Sequence, residues 1–222
     1  MPFPRWDGAP VVTGALIVSS EQGLGDMILF ANCFPDLRSV SSRVVIETPP
    51  PLVSLFSRSF PAFTVRPQSG TARPPWLDEI GPVAATLPAG SLMRLFRRGA
   101  DAFPQHQGYL RADPERVRRW RERLAAMGPG TKVGVAWQGG VTRTGRKSRS
   151  LDLEDFVPLL RVPGLRFVSL QYTAGAATQV DRLERDHGIV VEHWQDAIDD
   201  YEETAALVAA LDIVVTCCTA VA

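Results

Sequence analysis

Two stretches hold the residues whose types and spacing could do chemistry. The first is "SSEQGLGD", where Gly23, Gly25 and Asp26 stand between an apolar run, "GALIVSS", and the start of a helical pattern. Glycines at a strand-to-helix turn let another group approach the backbone, and a carboxylate there can act as a base, accept a ligand hydroxyl or cap the helix. By residue type alone the stretch is open to three readings: a phosphate cradle, an acidic catalytic site or a tight turn.

The second stretch is "VGVAWQGGVTRTGRKSRSLDLEDF", residues 133–156. An apolar strand runs into Gly139 and Gly140, and Arg143, Arg146, Lys147 and Arg149 follow before a new helix starts near Ser150 or Asp152. Small residues admit a ligand to the backbone, and clustered guanidinium and ammonium groups neutralise phosphate oxygens. A strand end facing a helix N-terminus is where anions bind in open α/β sheets, so this loop is the expected diphosphate site.

Other reactive side chains give less. Cys33, Cys217 and Cys218 have no metal-ligand spacing, and an odd count with one adjacent pair is no disulfide framework. Cys217 and Cys218 read as small apolar residues at a buried strand end. His106, His187 and His193 read as surface residues with no spacing that suggests catalysis, and no metal site is expected. Five arginines between Arg116 and Arg123 fall mostly on one side of an amphipathic pattern and read as a solvated helix face.

The elements that must position these residues alternate between short apolar runs and helical patterns, the signature of βα units around parallel sheets. Strands are expected at 14–20, 43–48, 132–137, 166–171 and 212–216, with shorter ones at "FTVRP" and "IVVEH". Helices are expected at 26–34, in "LVSLFSRSF", in "SLMRLFRRGADAFP", at 153–160, around 176–188 and at 201–211. Residues 68–103 give little pattern before that third helix. The best-marked helix opens at Asp113 and Pro114 and keeps Val117, Trp120, Leu124 and Met127 on one face until Gly128. Two α/β halves follow, residues 1–112 and 113–222. The last strand, "DIVVT", is apolar on both faces, and the chain stops before a further crossover, so a truncated second half with an exposed, self-associating edge is expected.

Composition fits a globular α/β protein: 222 residues, 45% hydrophobic, 24 basic against 24 acidic side chains. Zero formal net charge gives no reason to expect a nucleic-acid surface, and Trp120, the aromatic within the arginine-rich helix, belongs to its apolar face. No apolar run approaches the roughly 20 residues of a membrane span, and the N-terminus lacks a signal-peptide pattern, so a cytoplasmic location is expected.

Taken in order, "EQGLGDMILFANCFPDL", "YLRADPERVRRWRERL", "VGVAWQGG…RKSRSLDLEDFVPLL", "FVSLQ" and "ETAALVAALDIVVTCCTAVA" resemble the glycosyltransferase domain that follows tetratricopeptide repeats in many bacterial proteins. That domain is related to the heptosyltransferases of glycosyltransferase family 9, and "PRWDG" looks like the junction after such repeats. The resemblance implies a GT-B architecture of two Rossmann-like domains, acceptor on the N-terminal and nucleotide sugar on the C-terminal one. It implies inverting transfer without a metal ion or other cofactor, the nucleotide sugar being co-substrate and the acceptor a protein, lipid or glycan.

Carried onto this sequence, Asp26 matches the family's catalytic aspartate, with Gly23 and Gly25 beside the acceptor. Lys147 and Arg149 match the basic residues that stabilise the diphosphate leaving group, alongside Gly139, and Gln171 lines the nucleotide pocket. The segment "TCCTAVA" departs from the family: Cys218 stands where an aspartate is expected, Thr219 can still donate a hydrogen bond, and no histidine follows. The other reading is a non-catalytic or degenerate domain of the same fold that serves as an interaction module.

Overall fold

The computed structural model describes residues 3–71, 73–105, 108–140 and 149–221. They divide into two compact units, Met1–Arg111 and Ala112–Ala222, each built on a four-stranded, all-parallel sheet. The α/β class with two parallel sheets is the one the alternating pattern predicts.

In the first unit the strands are β1 (Ala15–Ser19), β2 (Val44–Thr48), β3 (Thr64–Pro67) and β4 (Val83–Pro88), in the order β3-β2-β1-β4. The helices are α1 (Leu24–Phe30), continued by a 3₁₀ segment Ala31–Ser39, then α2 (Val53–Ser59) and α3 (Ser91–Phe96). Leu16, Ile17, Val18 and Ile46 are completely buried, as a central parallel strand with both faces covered requires. On one face Ile17 and Val45 pack on Trp76, Leu77 and Ile80. Away from that cluster, Phe34, Phe56 and Phe60 form an edge-to-face triad with centroids 5.1–5.7 Å apart.

Three expectations change here. The poorly patterned segment contains β4, an outer strand that ends at Pro88 and exposes part of alternate residues. The helix expected to end just before Pro104 stops at Phe96. Arg97 turns inward there, its side chain 3% exposed, to donate to Asn32 Oδ1 (2.8 Å), Asn32 O (2.6 Å) and Asp36 (2.8 Å). The first helix starts at Leu24, two residues before Asp26.

In the second unit the strands are β5 (Thr131–Ala136), β6 (Leu165–Ser169), β7 (Val191–His193) and β8 (Ile213–Thr216), in the order β7-β6-β5-β8. The helices are α4 (Pro114–Ala125), α5 (Val157–Leu160), α6 (Ala176–His187), α7 (Gln195–Asp199) and α8 (Tyr201–Ala210). Helices α5 and α6 cover one face through Phe156, Leu160, Val180 and Leu183; α4, α7 and α8 cover the other through Trp120, Leu124, Ala197 and Leu207. Outer strand β8 leaves Ile213 50% exposed.

Helix α4 is capped as its sequence predicts, with Asp113 Oδ1 accepting from the Glu115 and Arg116 amides at 2.9 Å. Its arginines are not simply a solvated face. Arg116 pairs with Asp200 and Glu203 (2.7 and 2.8 Å), Arg119 with Glu203 (3.3 Å) and Arg123 with Asp196 (2.7 Å). Trp120 stacks on Trp194 at 5.4 Å and donates to Glu203, while the Arg123 guanidinium lies 4.2 Å over the Trp194 ring. These acids stand 73–87 residues away in the chain and bind α4 to α7 and α8.

Candidate functional site

In each unit the chain runs outward along three strands and then crosses to the other side of the first. The order reverses between β1 and β4 in one unit and between β5 and β8 in the other. Ligands of open α/β sheets bind outside the carboxyl ends of the strands at such a reversal.

At the first reversal the loop after β1 and the loop after β4 are tied together. The Ala89 amide donates to Ser19 O (2.9 Å), and the Gly90 amide donates to Glu21 Oε1 (3.2 Å). Gly23, exposed and extended at φ −72°, is the N-cap of α1; Leu24 and Gly25 follow, so Asp26 is the third helical residue. Its Oδ2 reaches back to accept from the Gly23 amide at 3.1 Å. This corrects the N-cap assignment: Asp26 satisfies the cap from inside the first turn, as the acidic member of a capping box does. The side chain is exposed, and among the described residues Oδ1 accepts no hydrogen bond.

The polar residues beside that loop carry little sequence signal. Ser20 Oγ and Thr48 Oγ1 are buried without a hydrogen-bond partner among the described residues. They lie two residues beyond the paired Val18 and Ile46, so both sit on the same face at the ends of adjacent strands. Gln68 crosses above them, donating its amide N–H to Thr48 O (2.8 Å) and Nε2 to Ser20 O (3.3 Å). On the other face Glu47 is buried, and burial pushes its carboxyl above the ordinary carboxylate range.

At the second reversal the structure gathers Gly139, Cys218 and Thr219. A Cβ on Gly139 would stand 2.2 Å from Cys218 O, so only glycine lets the loops after β5 and β8 meet backbone to backbone. The space expected for a ligand at Gly139 is thus taken by Cys218. The Gly139 amide also donates to Ser150 Oγ (3.3 Å), which sets exposed Arg149 next to the loop. Thr219 Oγ1 is buried and has no hydrogen-bond partner among the described residues, Cys218 is exposed, and burial raises the Cys217 thiol. Burial also raises the Tyr201 hydroxyl, which donates to Ala220 O (2.7 Å) and holds the end of this loop. Val141, Arg143, Arg146 and Lys147 lie outside the described residues.

Gln171 is completely buried and faces main chain. Its Oε1 accepts from the Trp137 and Gln138 amides (2.9 and 2.8 Å), and Nε2 donates to Gln138 O and Thr173 Oγ1 (both 3.1 Å). The residue therefore fixes the strand end that carries Gly139. Beside it Tyr172, 46% exposed, is an aromatic at the carboxyl end of β6. His193 is a half-buried member of β7 rather than a surface residue, its Nδ1 3.0 Å from the completely buried Ser169 Oγ. His187 is exposed at the end of α6, and His106 lies outside the described residues.

Among the described residues no three His, Cys, Asp or Glu side chains gather as a metal site, and no helix is long and apolar enough to cross a membrane. No family model matches the chain. Protein FlbA of Caulobacter vibrioides is 31% identical over 229 residues, an alignment covering 97% of this chain and 38% of FlbA. The chain thus spans well under half the length of that relative. The structure of E. coli ADP-heptose LPS heptosyltransferase II matches with a TM-score of 0.63 over 94% of this chain and 80% of that one, at 12% identity. That degree of likeness shows a shared fold, the two-sheet GT-B-like α/β architecture.

Proposed function

We propose that this chain is the sugar-transferring part of a nucleotide-sugar-dependent glycosyltransferase that inverts the anomeric centre. The observation that carries the reading is the second sheet reversal, where the main chain of two loops meets at Gly139 and Cys218, next to the buried Thr219 Oγ1, within a fold shared with a heptosyltransferase. The donor's diphosphate is assigned to Arg149, Lys147 and Thr219, which supply positive charge and a hydroxyl donor without a metal ion.

Asp26 is assigned as the base. In the step proposed, its carboxylate takes the proton from an acceptor hydroxyl as that oxygen bonds to the anomeric carbon. The bond from that carbon to the diphosphate oxygen breaks, and the nucleoside diphosphate leaves with the electron pair. The free Oδ1 of an exposed Asp26, held by its other oxygen on Gly23, fits such a role. Gly23 and Gly25 keep side chains away from the acceptor. Protein, lipid and glycan acceptors all fit this chemistry.

Calorimetry with a panel of nucleoside diphosphates tests the reading. Binding in the micromolar to millimolar range is expected for one base, on the order of −8 to −4 kcal/mol, and the Lys147→Ala plus Arg149→Ala variant should weaken it at least about tenfold, or about 1.4 kcal/mol. Absence of binding to every member of the panel overturns the assignment.

A further inference from the structure

A chain of hydrogen bonds crosses the carboxyl ends of β7, β6 and β5, and it starts at His193, a residue the proposed reaction does not use. Phe167 pairs with Val191 and Ser169 with His193, so the imidazole lies on the face of β7 that α6 covers, beside the completely buried Ser169. Its Nδ1 stands 3.0 Å from Ser169 Oγ, which accepts from the Gln171 main-chain amide at 3.2 Å. The Gln171 side chain in turn holds the Trp137 and Gln138 amides, next to Gly139.

The protons in this chain have one arrangement. Among the described residues Ser169 Oγ meets the Gln171 amide and the His193 ring. The amide can only donate, so the single hydroxyl hydrogen of Ser169 has Nδ1 as its acceptor. This requires the neutral imidazole tautomer with its hydrogen on Nε2, which makes no hydrogen bond among the described residues. A protonated ring turns Nδ1 into a donor. Ser169 Oγ then receives two donors, and its own hydrogen is left in a completely buried position without an acceptor.

Nearby charges do not take over this role. Helix α6, which packs on β7, turns Ala176, Val180 and Leu183 to the sheet and exposes Asp181, Arg182, Glu184, Arg185, Asp186 and His187. The charged residue of β6, Arg166, lies at its amino end. On the other face of β7, Glu192 is held by Trp194 Nε1 at 3.2 Å. None of these acids pairs with His193 among the described residues.

We propose that His193 is a positioning residue: its neutral ring sets Ser169 and, through Gln171, the loop that carries Gly139, and protonation releases that loop. The consequence for nucleoside diphosphate affinity rests on the donor-site reading above, whereas the consequence for the loop does not.

The test compares the parent with His193→Asn, whose Oδ1 can take the place of Nδ1 as a permanent acceptor, and with His193→Leu, which offers none. Measurements at about pH 8 and about pH 5.5 span the range in which histidine side chains ordinarily change charge. Hydrogen exchange followed by NMR, corrected for intrinsic rates, should show protection of the parent's Trp137 and Gln138 amides falling at least about tenfold at the lower pH. His193→Asn should keep its protection at both values, and His193→Leu should show the lower protection already at the higher one. By calorimetry, the parent's nucleoside diphosphate affinity should fall at least about tenfold more than that of His193→Asn, a comparison that cancels the change in the phosphate's own charge. The ring's nitrogen shifts should report the Nε2–H tautomer at the higher pH. A pH response of His193→Asn equal to the parent's, full protection in His193→Leu, or a hydrogen on Nδ1 at the higher pH overturns the proposal. If nucleoside diphosphates bind none of the three proteins while the exchange pattern holds, the donor-site reading falls and the control of the loop by His193 stands.

Discussion

Replacing Gln171 by leucine separates a side chain that holds a loop from one that touches a ligand. The two residues are close in volume, so the change removes hydrogen bonds without opening a large cavity. Gln171 makes four: two accepted from the Trp137 and Gln138 amides and two donated to Gln138 O and Thr173 Oγ1. The Trp137 amide lies in a completely buried residue and would be left unsatisfied, at a cost of about 1–3 kcal/mol. Gln138 is half-buried, so water can recover part of what its amide and carbonyl lose. The sum is about 2–4 kcal/mol, less a fraction returned by burying leucine. For a unit of this size that lowers the thermal midpoint by roughly 10–20 °C, which circular dichroism reads directly. Hydrogen exchange at the Trp137 and Gln138 amides should quicken selectively. A midpoint within about 2 °C of the parent, together with unchanged exchange, would refute the assignment of Gln171 to loop positioning.

Two further outcomes follow from local geometry. Gly139→Ala places a methyl group 2.2 Å from Cys218 O, so one loop must move; a loss of about 2–4 kcal/mol is expected by calorimetric unfolding, with loss of nucleoside diphosphate affinity. Burial raises the Glu47 carboxyl, so its protons leave the unfolded chain first, and stability falls as pH rises from the unfolded carboxylate value through the raised folded one; Glu47→Gln should flatten that part of the midpoint–pH curve.

Much of the fold is legible because local and global preferences agree. Strand β5 is buried on both faces from Lys132 to Ala136 and β6 from Phe167 to Ser169, and α4 carries its own cap, first-turn proline and apolar face. Strand β4 is obscured because "VAATLP" is poor in β-branched and aromatic residues and lies at the sheet edge, where no continuous apolar run is needed. The helix after it is overestimated because its stop comes from Arg97, whose partners are more than 60 residues away. The partners of the α4 arginines are equally distant, which is why a charge run that reads as solvated proves to hold three helices together.

The candidate site is legible to a different depth in each unit. Glycines 139 and 140 announce a close approach, but only the structure shows that Gly139 approaches the Cys218 carbonyl. The "GLGD" turn announces a helix start, while the choice of Gly23 as cap depends on Asp26 folding back to its amide. Gln171, a lone polar residue after a strand, could not be told from a ligand contact, because three of its four side-chain hydrogen bonds go to main chain 33–34 residues earlier.

One physical criterion draws attention to the strand ends without any likeness to other proteins. The buried side-chain atoms lacking a partner among the described residues are Ser20 Oγ, Thr48 Oγ1, Arg66 Nε and Thr219 Oγ1. The three hydroxyls, of Ser20, Thr48 and Thr219, lie at or just beyond the carboxyl ends of β1, β2 and β8. A buried hydroxyl without a partner costs about 1–3 kcal/mol, so folded proteins rarely keep several of them together without a use. Hydroxyls at the ends where open α/β sheets hold ligands suit a surface that hydrogen-bonds a ligand, in the first unit as much as in the second.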